Sequence, residues 1–319
     1  TGSLKGWASP KDVILKLLGI LTVKGSTNRI IEYFGPGTAS ISATGKGTIT
    51  NMGAELGATT SIFPYDRRAK TYLDATQRAR IATLAEANRE LLVADPEVEA
   101  DPERFFDLVI EIDLDALEPH VVGPFTPDLA RPVSRMAADV REHGYPEKLS
   151  AALIGSCTNS SYEDLSRAAD VASQALAKGA KTRASLWVTP GSEQIEATIH
   201  RDGQMATFES LGGTVLANAC GPCIGQWFRE DITEGEVNSI ISSFNRNFAK
   251  RNDGNPQTSS FIASPEIVIA YALAGSLSVN PLTDQLTAAD GSTYRLAPPA
   301  PAPEVPKDGF IFKAEGFLA

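Results

Sequence analysis

Two segments decide how this chain reads: L-S-A-A-L-I-G-S-C-T-N-S (149–160) and V-L-A-N-A-C-G-P-C-I-G-Q-W (215–227). Each starts as a short apolar run and ends in cysteine set among Gly, Ser, Thr, Asn and Pro. Apolar runs closed by such residues read as buried strands. Between them the pattern predicts a helix over 161–178, N-capped by Ser160 or Ser161 and stopped by Gly179. A strand over 184–189, a helix over 193–201 and a strand over 214–217 follow. That βαβαβ order implies a parallel sheet, whose ligands sit beyond the carboxyl ends of its strands. Both cysteine loops fall on that edge. The expected class is α/β, with mostly parallel sheets flanked by helices.

The three cysteines, Cys157, Cys220 and Cys223, are spaced C-x62-C-x2-C. Gly221 and Pro222 inside the second pair make a turn that lets two thiolates converge, and the fold must deliver the third. Three thiolates are one short of a closed zinc or iron–sulfur site, which leaves one metal position for water or substrate. On spacing alone, a C-x-x-C is as readily a redox pair, half a zinc site or two buried thiols. Small polar neighbours favour a cluster, because they offer backbone N–H groups to its sulfides. Zinc usually recruits histidine, and His120, His143 and His200 lie at no ligand spacing from the cysteines. Iron–sulfur is therefore the favoured metal.

Composition narrows the partners. A chain of 319 residues with 42% hydrophobic residues has ample material for one large or two ordinary domains. A net charge of −10 argues against nucleic acid as the main partner, and no apolar run approaches the ~20 residues of a membrane span. An odd cysteine number fits a reducing compartment better than a disulfide framework. The sequence opens at Thr1 without a signal pattern and reads as an excised piece.

Elsewhere, Ser9-Pro10 starts a helix striped by Val13, Ile14, Leu17 and Leu18, and a strand is expected over 30–34. Residues 51–60 read as a short helix in which Asn51 and Glu55, at i and i+4, share one face. A basic run within the helical stretch 66–93 (Arg67, Arg68, Lys70, Arg78, Arg80) reads as a solvated face. A strand is expected over 108–113, and the prolines from Pro119 to Pro132 mark a domain boundary. An apolar strand over 239–244 delivers Asn245, Arg246 and Arg251 to the cysteine edge, where planar guanidinium groups suit carboxylates. A helix starts at Ser264-Pro265, and the Pro-rich passage after residue 297 reads as an extended linker.

The chain resembles the aconitase family, and within it the mitochondrial type. The residues that carry the likeness are Y-F-G-P-G (33–37), N-M-G-A-E-L-G-A-T-T-S-I-F-P-Y (51–65), E-P-H-V-V-G-P-F-T-P-D (118–128), I-G-S-C-T-N-S-S-Y-E-D (154–164), T-P-G-S-E-Q-I (189–195), L-A-N-A-C-G-P-C-I-G-Q-W (216–227) and F-N-R-N-F-A-K-R-N-D (244–253). These motifs are long and span all but the last thirty or so residues. The resemblance implies a [4Fe–4S] cluster on Cys157, Cys220 and Cys223, acting as Lewis acid on a tricarboxylate. It implies interconversion of citrate and isocitrate through cis-aconitate in the mitochondrial matrix. Asn51, Glu55 and Asn245 would serve the site, and Arg246 and Arg251 would hold substrate carboxylates. It also implies that 1–117 and 118–296 are the family's second and third domains, with 297–319 a linker and tail. The first and fourth domains, which carry the family's Asp–His, Asp-Ser-His and serine groups, are missing partners. A hydro-lyase acting on homocitrate or isopropylmalate, or an iron-sensing RNA-binding relative, are the alternatives.

Overall fold

The computed structural model describes residues 1–312. In chain order its elements are α1 Pro10–Leu21, β1 Ile30–Glu32, α2 Ala43–Asn51, β2 Thr60–Ile62, α3 Arg67–Ala75, α4 Ala79–Ala87 and α5 Pro96–Ala100. There follow β3 His120–Val122, β4 Ala130–Pro132, α6 Val133–His143, β5 Leu149–Gly155, α7 Tyr162–Leu176, β6 Ser185–Thr189, α8 Glu193–Asp202, α9 Gln204–Ser210 and β7 Thr214–Val215. The last are β8 Asn238–Ser242, β9 Thr258–Ile262, α10 Pro265–Ala274, β10 Leu286–Thr287 and β11 Thr293–Tyr294.

A seven-stranded sheet in the order β4-β3-β9-β8-β5-β6-β7 organises the molecule. From β9 to β7 neighbouring strands pair in parallel, and β3 and β4 close one edge antiparallel. Alternation along the strands supplies two buried faces. Ala152, Ile154, Val188 and Ile241 meet α7 and α10, while Ala151, Leu153 and Ile240 meet Trp227 and Phe244 on the other side. All ten residues of α10 are buried, and the helix is apolar around most of its circumference, with Glu266 paired to Arg167. Ala168, Ala169, Ala172 and Ala175 in α7 let the helices approach closely. A second apolar cluster gathers α1, α2, Leu114 and Leu117, and includes Val122 and Ile262 from the sheet.

Four expectations need correction. The segment 108–113 is not a strand: its main chain pairs only with Thr1, through Thr1 N to Ile112 O (2.9 Å) and Leu114 N to Thr1 O (2.9 Å). One partner residue cannot sustain a ladder. The helix expected over 51–60 is instead the last residue of α2 followed by a 3-10 turn, Met52–Leu56, and Gly57 in the left-handed region. Asn51 and Glu55 therefore do not lie on one α-helical face. The helical stretch 66–93 is broken at Gln77, which has φ +61°, although α3 buries none of its residues, as a solvated basic face requires.

The Pro-rich passage is not a free linker up to residue 312. Ala297 N donates to Gln174, Glu304 accepts from Ala43 N (3.1 Å) and pairs with Arg68 (3.5 Å), and Ile311 N donates to Thr198 (3.0 Å). Phe310 meets Tyr72 and Tyr162 edge-on, at 6.3 and 6.4 Å between ring centroids. Residues 297–312 thus form a strap across α2, α3, α7 and α8, and 313–319 lie outside the described residues. The expectation missed this because proline runs carry no signal of what they dock on. Phe310→Ala should lower unfolding stability by about 1–3 kcal/mol, part of the usual cost of truncating a core phenylalanine. Thermal and urea unfolding of the two chains would measure it, and an unchanged midpoint would show the strap to be loosely held.

Candidate active site

Strand β5 delivers Cys157 through a tightly constrained exit. Gly155 has φ +98°, and a Cβ there would lie 1.8 Å from the Thr189 carbonyl oxygen, so only glycine fits. Ser156 follows with φ +75°, a left-handed conformation that a serine adopts at a cost and that often marks a functional loop. The Ser160 hydroxyl closes the loop on the Ser156 carbonyl. Gly191 is required on the far side, where a Cβ would meet the Ser160 hydroxyl. The motif T-P-G-S after β6 therefore shapes the Cys157 loop. Ser161 and Asp164 then form a capping box that starts α7.

Beyond β7, Cys220 leads into a single 3-10 turn, Gly221–Cys223, with Cys223 N bonded to Cys220 O at 2.7 Å. Cys157 and Cys220 are exposed and Cys223 is half-buried against Trp227 and Phe244. Burial and the neighbouring Cys157 and Cys220 push the Cys223 thiol up to about 12, against a pull downward from Ser156 and Arg251. Cys223 thus lies within electrostatic reach of both Cys157, distant in sequence, and Cys220.

The loop after β8 joins from the third side. Asn245 Nδ2 (3.1 Å) and Arg246 Nε (2.7 Å) both donate to Glu55 Oε1. The Glu55 side chain is 2% exposed and its other oxygen has no partner among the described residues. Asn252 Nδ2 holds the Pro222 carbonyl at 2.9 Å, and Gly225 lets the cysteine turn pack on Lys250 O. Arg251 sits between these contacts with its Nε buried and unpartnered. Asn51 Nδ2 reaches Thr158 Oγ1 (2.9 Å), which is 4.0 Å from the Cys157 sulfur. Every predicted site residue thus lies on one edge, though Asn51 and Glu55 reach different loops.

The donor set can be tested against metals. Zn–S bonds of about 2.3 Å would force thiolates on one ion to within about 4.6 Å of each other. The one His/Cys/Asp/Glu group among the described residues with all its ligand atoms within 4.8 Å is Asp139, Glu142 and His143 on α6, not the cysteines. The three sulfurs therefore do not all lie within the span that a single ion would impose. Orphaned buried atoms on the same edge (Glu55 Oε2, Asn159 Oδ1, Thr189 Oγ1, Arg251 Nε) are capacity that a bound group would satisfy. The histidines stand apart: the His120 ring bonds Glu118 O (2.6 Å), His143 stacks on Tyr145, and His200 is an exposed residue of α8.

Sequence reasoning missed Lys11, Thr48, Thr158 and Ser243. Thr48 Oγ1 holds Thr158 O at 3.0 Å, and the Ser243 hydroxyl bridges both backbone groups of Gly155. A signal existed for Lys11, which shares a helical face with Ile14, Leu15 and Leu18 by i+3, i+4 and i+7 spacing.

These features describe an α/β protein in which three cysteines and two arginines stand in loops at the carboxyl edge of a parallel sheet. Residues 1–275 match the family model described as "Aconitase family (aconitate hydratase)", and the chain belongs to that family. It is 59% identical over 310 residues to "Aconitate hydratase, mitochondrial" of Gracilaria gracilis, covering 97% of this chain and 39% of that protein. It is 57% identical over 300 residues to the protein of the same name from Saccharomyces cerevisiae, covering 94% and 38%. A solved structure, aconitase X of Thermococcus kodakaraensis in its holo-form, aligns over 85% of this chain and 54% of its own, with 13% identity and a TM-score of 0.41. That likeness is too distant to bear on the site. The chain spans about two fifths of the length of the curated relatives it matches.

Alkylation of the metal-free chain checks the thiol geometry. At pH 8, Cys157 and Cys220 should react at least about tenfold faster than Cys223, which is shielded and holds its proton. Peptide mass spectrometry resolves the three rates. Equal rates would mean that the C-x-x-C turn does not bury Cys223.

Proposed function

We propose that this chain is the cluster-bearing part of an aconitate hydratase that interconverts citrate and isocitrate through cis-aconitate in the mitochondrial matrix. The observation that carries the reading is the convergence of three thiols, Glu55, Arg246 and Arg251 on one sheet edge. Names of relatives that are 55–59% identical support the activity and the compartment. The domain limits that go with this reading are 1–117 and 118–296. In their favour, the seven-stranded sheet starts at His120, and α1 and α2 gather a second apolar cluster, to which the sheet adds Val122 and Ile262.

Cys157, Cys220 and Cys223 would hold a [4Fe–4S] cluster. When bound, it supplies a Lewis-acidic iron with no thiolate of its own, able to polarise a hydroxyl and a carboxylate. The chain's residues handle the rest of the substrate. Glu55 takes the Nε of Arg246 and so fixes the guanidinium plane, whose terminal nitrogens make no hydrogen bond among the described residues. Such a fork presents two parallel donors to a carboxylate. Arg251 adds a second charge with an unspent donor beside the cysteine turn. Glu55 keeps one buried oxygen for a substrate hydroxyl. Asn51 and Asn245 tether the loops on which these groups stand.

A proton-transfer pair is not among these groups, and His120, His143 and His200 are engaged or exposed elsewhere. The chain alone, reconstituted with iron and sulfide, should therefore show no turnover by cis-aconitate absorbance, since each positioned acid–base group contributes about 10²–10⁴-fold. Turnover at about 1–10³ per second would mean that the base lies within these residues.

Cys223→Ser should abolish the visible absorbance of the reconstituted cluster while leaving far-ultraviolet circular dichroism unchanged. Full absorbance in that variant would remove Cys223 from the ligand set. In the complete enzyme, Arg251→Lys should weaken kcat/KM by roughly tenfold to a hundredfold, because a charged, forked hydrogen bond is worth about 1.5–3 kcal/mol. Parental kinetics would make Arg251 a surface residue.

A further inference from the structure

Lys11, near the start of α1, is 1% exposed, and its ammonium group forms no ion pair among the described residues. Its two partners are main-chain carbonyls, Ser243 O at 2.9 Å and Phe244 O at 2.8 Å. These are the last carbonyls of the chain leaving β8 before Asn245 and Arg246. Ser243 also accepts from Gly155 N (2.9 Å) and donates to Gly155 O (3.2 Å) through its hydroxyl. Gly155 is the exit of β5 that presents Cys157. One side chain from the first region therefore grips two exits of the sheet, one directly and one through Ser243.

A buried cation is expensive, and an apolar residue of similar volume is often no worse for stability. Burial lowers the Lys11 pKa to about 8, although Asp164, Glu55, Asp12 and Cys223 pull it upward. Asp164, Glu55, Asp12 and Cys223 all gain from its charge. A carbonyl pair alone could be satisfied by a neutral donor.

We propose that Lys11 is a positioning residue of the site: it sets the spacing between the Cys157 loop and the Asn245–Arg246 pair by clamping the β8 exit to the β5 exit. The inference rests on the reading of those residues as one site, but its geometry can be tested without metal. In the metal-free chain, Lys11→Met keeps the length and removes the donor. Hydrogen exchange should then be at least about tenfold faster for amides in 243–249 and 155–159, with α10 unchanged, since local openings are independent of global unfolding. Lys11→Arg, which keeps the charge and can donate to both carbonyls, should restore part of that protection. Uniform loss of protection that includes α10, or no change anywhere, would overturn the proposal.

Should Lys11→Met fail to fold, Ser243→Ala removes only the tie to Gly155. It should speed exchange in 155–159 while sparing 265–274, and unaltered exchange there would equally refute the clamp. Iron and sulfide uptake separates this inference from the one beneath it. If the parent chain takes up neither, the cluster reading fails while the exchange result stands. If the parent loads and Lys11→Met loses iron several-fold faster, both hold, and equal retention would contradict the positioning role.

Discussion

The structure depends on how closely the carboxyl ends of β5, β6 and β8 approach one another. Gly155 lies against the Thr189 carbonyl with no room for a side chain, and the Ser243 hydroxyl spans its N–H and C=O. Parallel pairing places every strand exit on the same edge, and these contacts draw three of the exits together. A cysteine separated from its nearest fellow by 62 residues thus arrives at the same edge. Strand β7, paired in parallel with β6, contributes the other two.

Charge on this edge is arranged as carefully as shape. The protein carries a net charge of −10, yet Lys11, Arg246 and Arg251 all stand at the cysteine loops. Glu55 orients Arg246 through one oxygen, and its other oxygen has no partner among the described residues. Locally gathered cations of this kind oppose the field of the rest of the surface and would favour an anionic ligand. No helix among the described residues is long and apolar enough to cross a membrane.

Much of this was legible in the sequence. The strands around Cys157 and Cys220 were readable because central parallel strands are nearly continuous apolar runs. α7 and α10 announced themselves through Ser161 and Ser264-Pro265. Other elements hid. β9, T-S-S-F-I, carries hydroxyl residues that are fully covered only in the fold, and β3 and β4 lie in a proline-rich passage that reads as a boundary. Asn51 and Glu55 read as sharing one helical face, whereas the chain there, with Gly53 and Gly57, tightens into a 3-10 turn. Lys11 could not be assigned from its spacing, because only the tertiary fold shows which carbonyls it meets.

The central claim is that these three thiols hold a cubane cluster rather than a single ion. Iron and acid-labile sulfide, measured per chain after anaerobic reconstitution, test it most directly. The account predicts about four of each per chain, with a loss toward three irons on exposure to air. One zinc per chain without sulfide, or iron uptake that survives replacement of all three cysteines by serine, would contradict it.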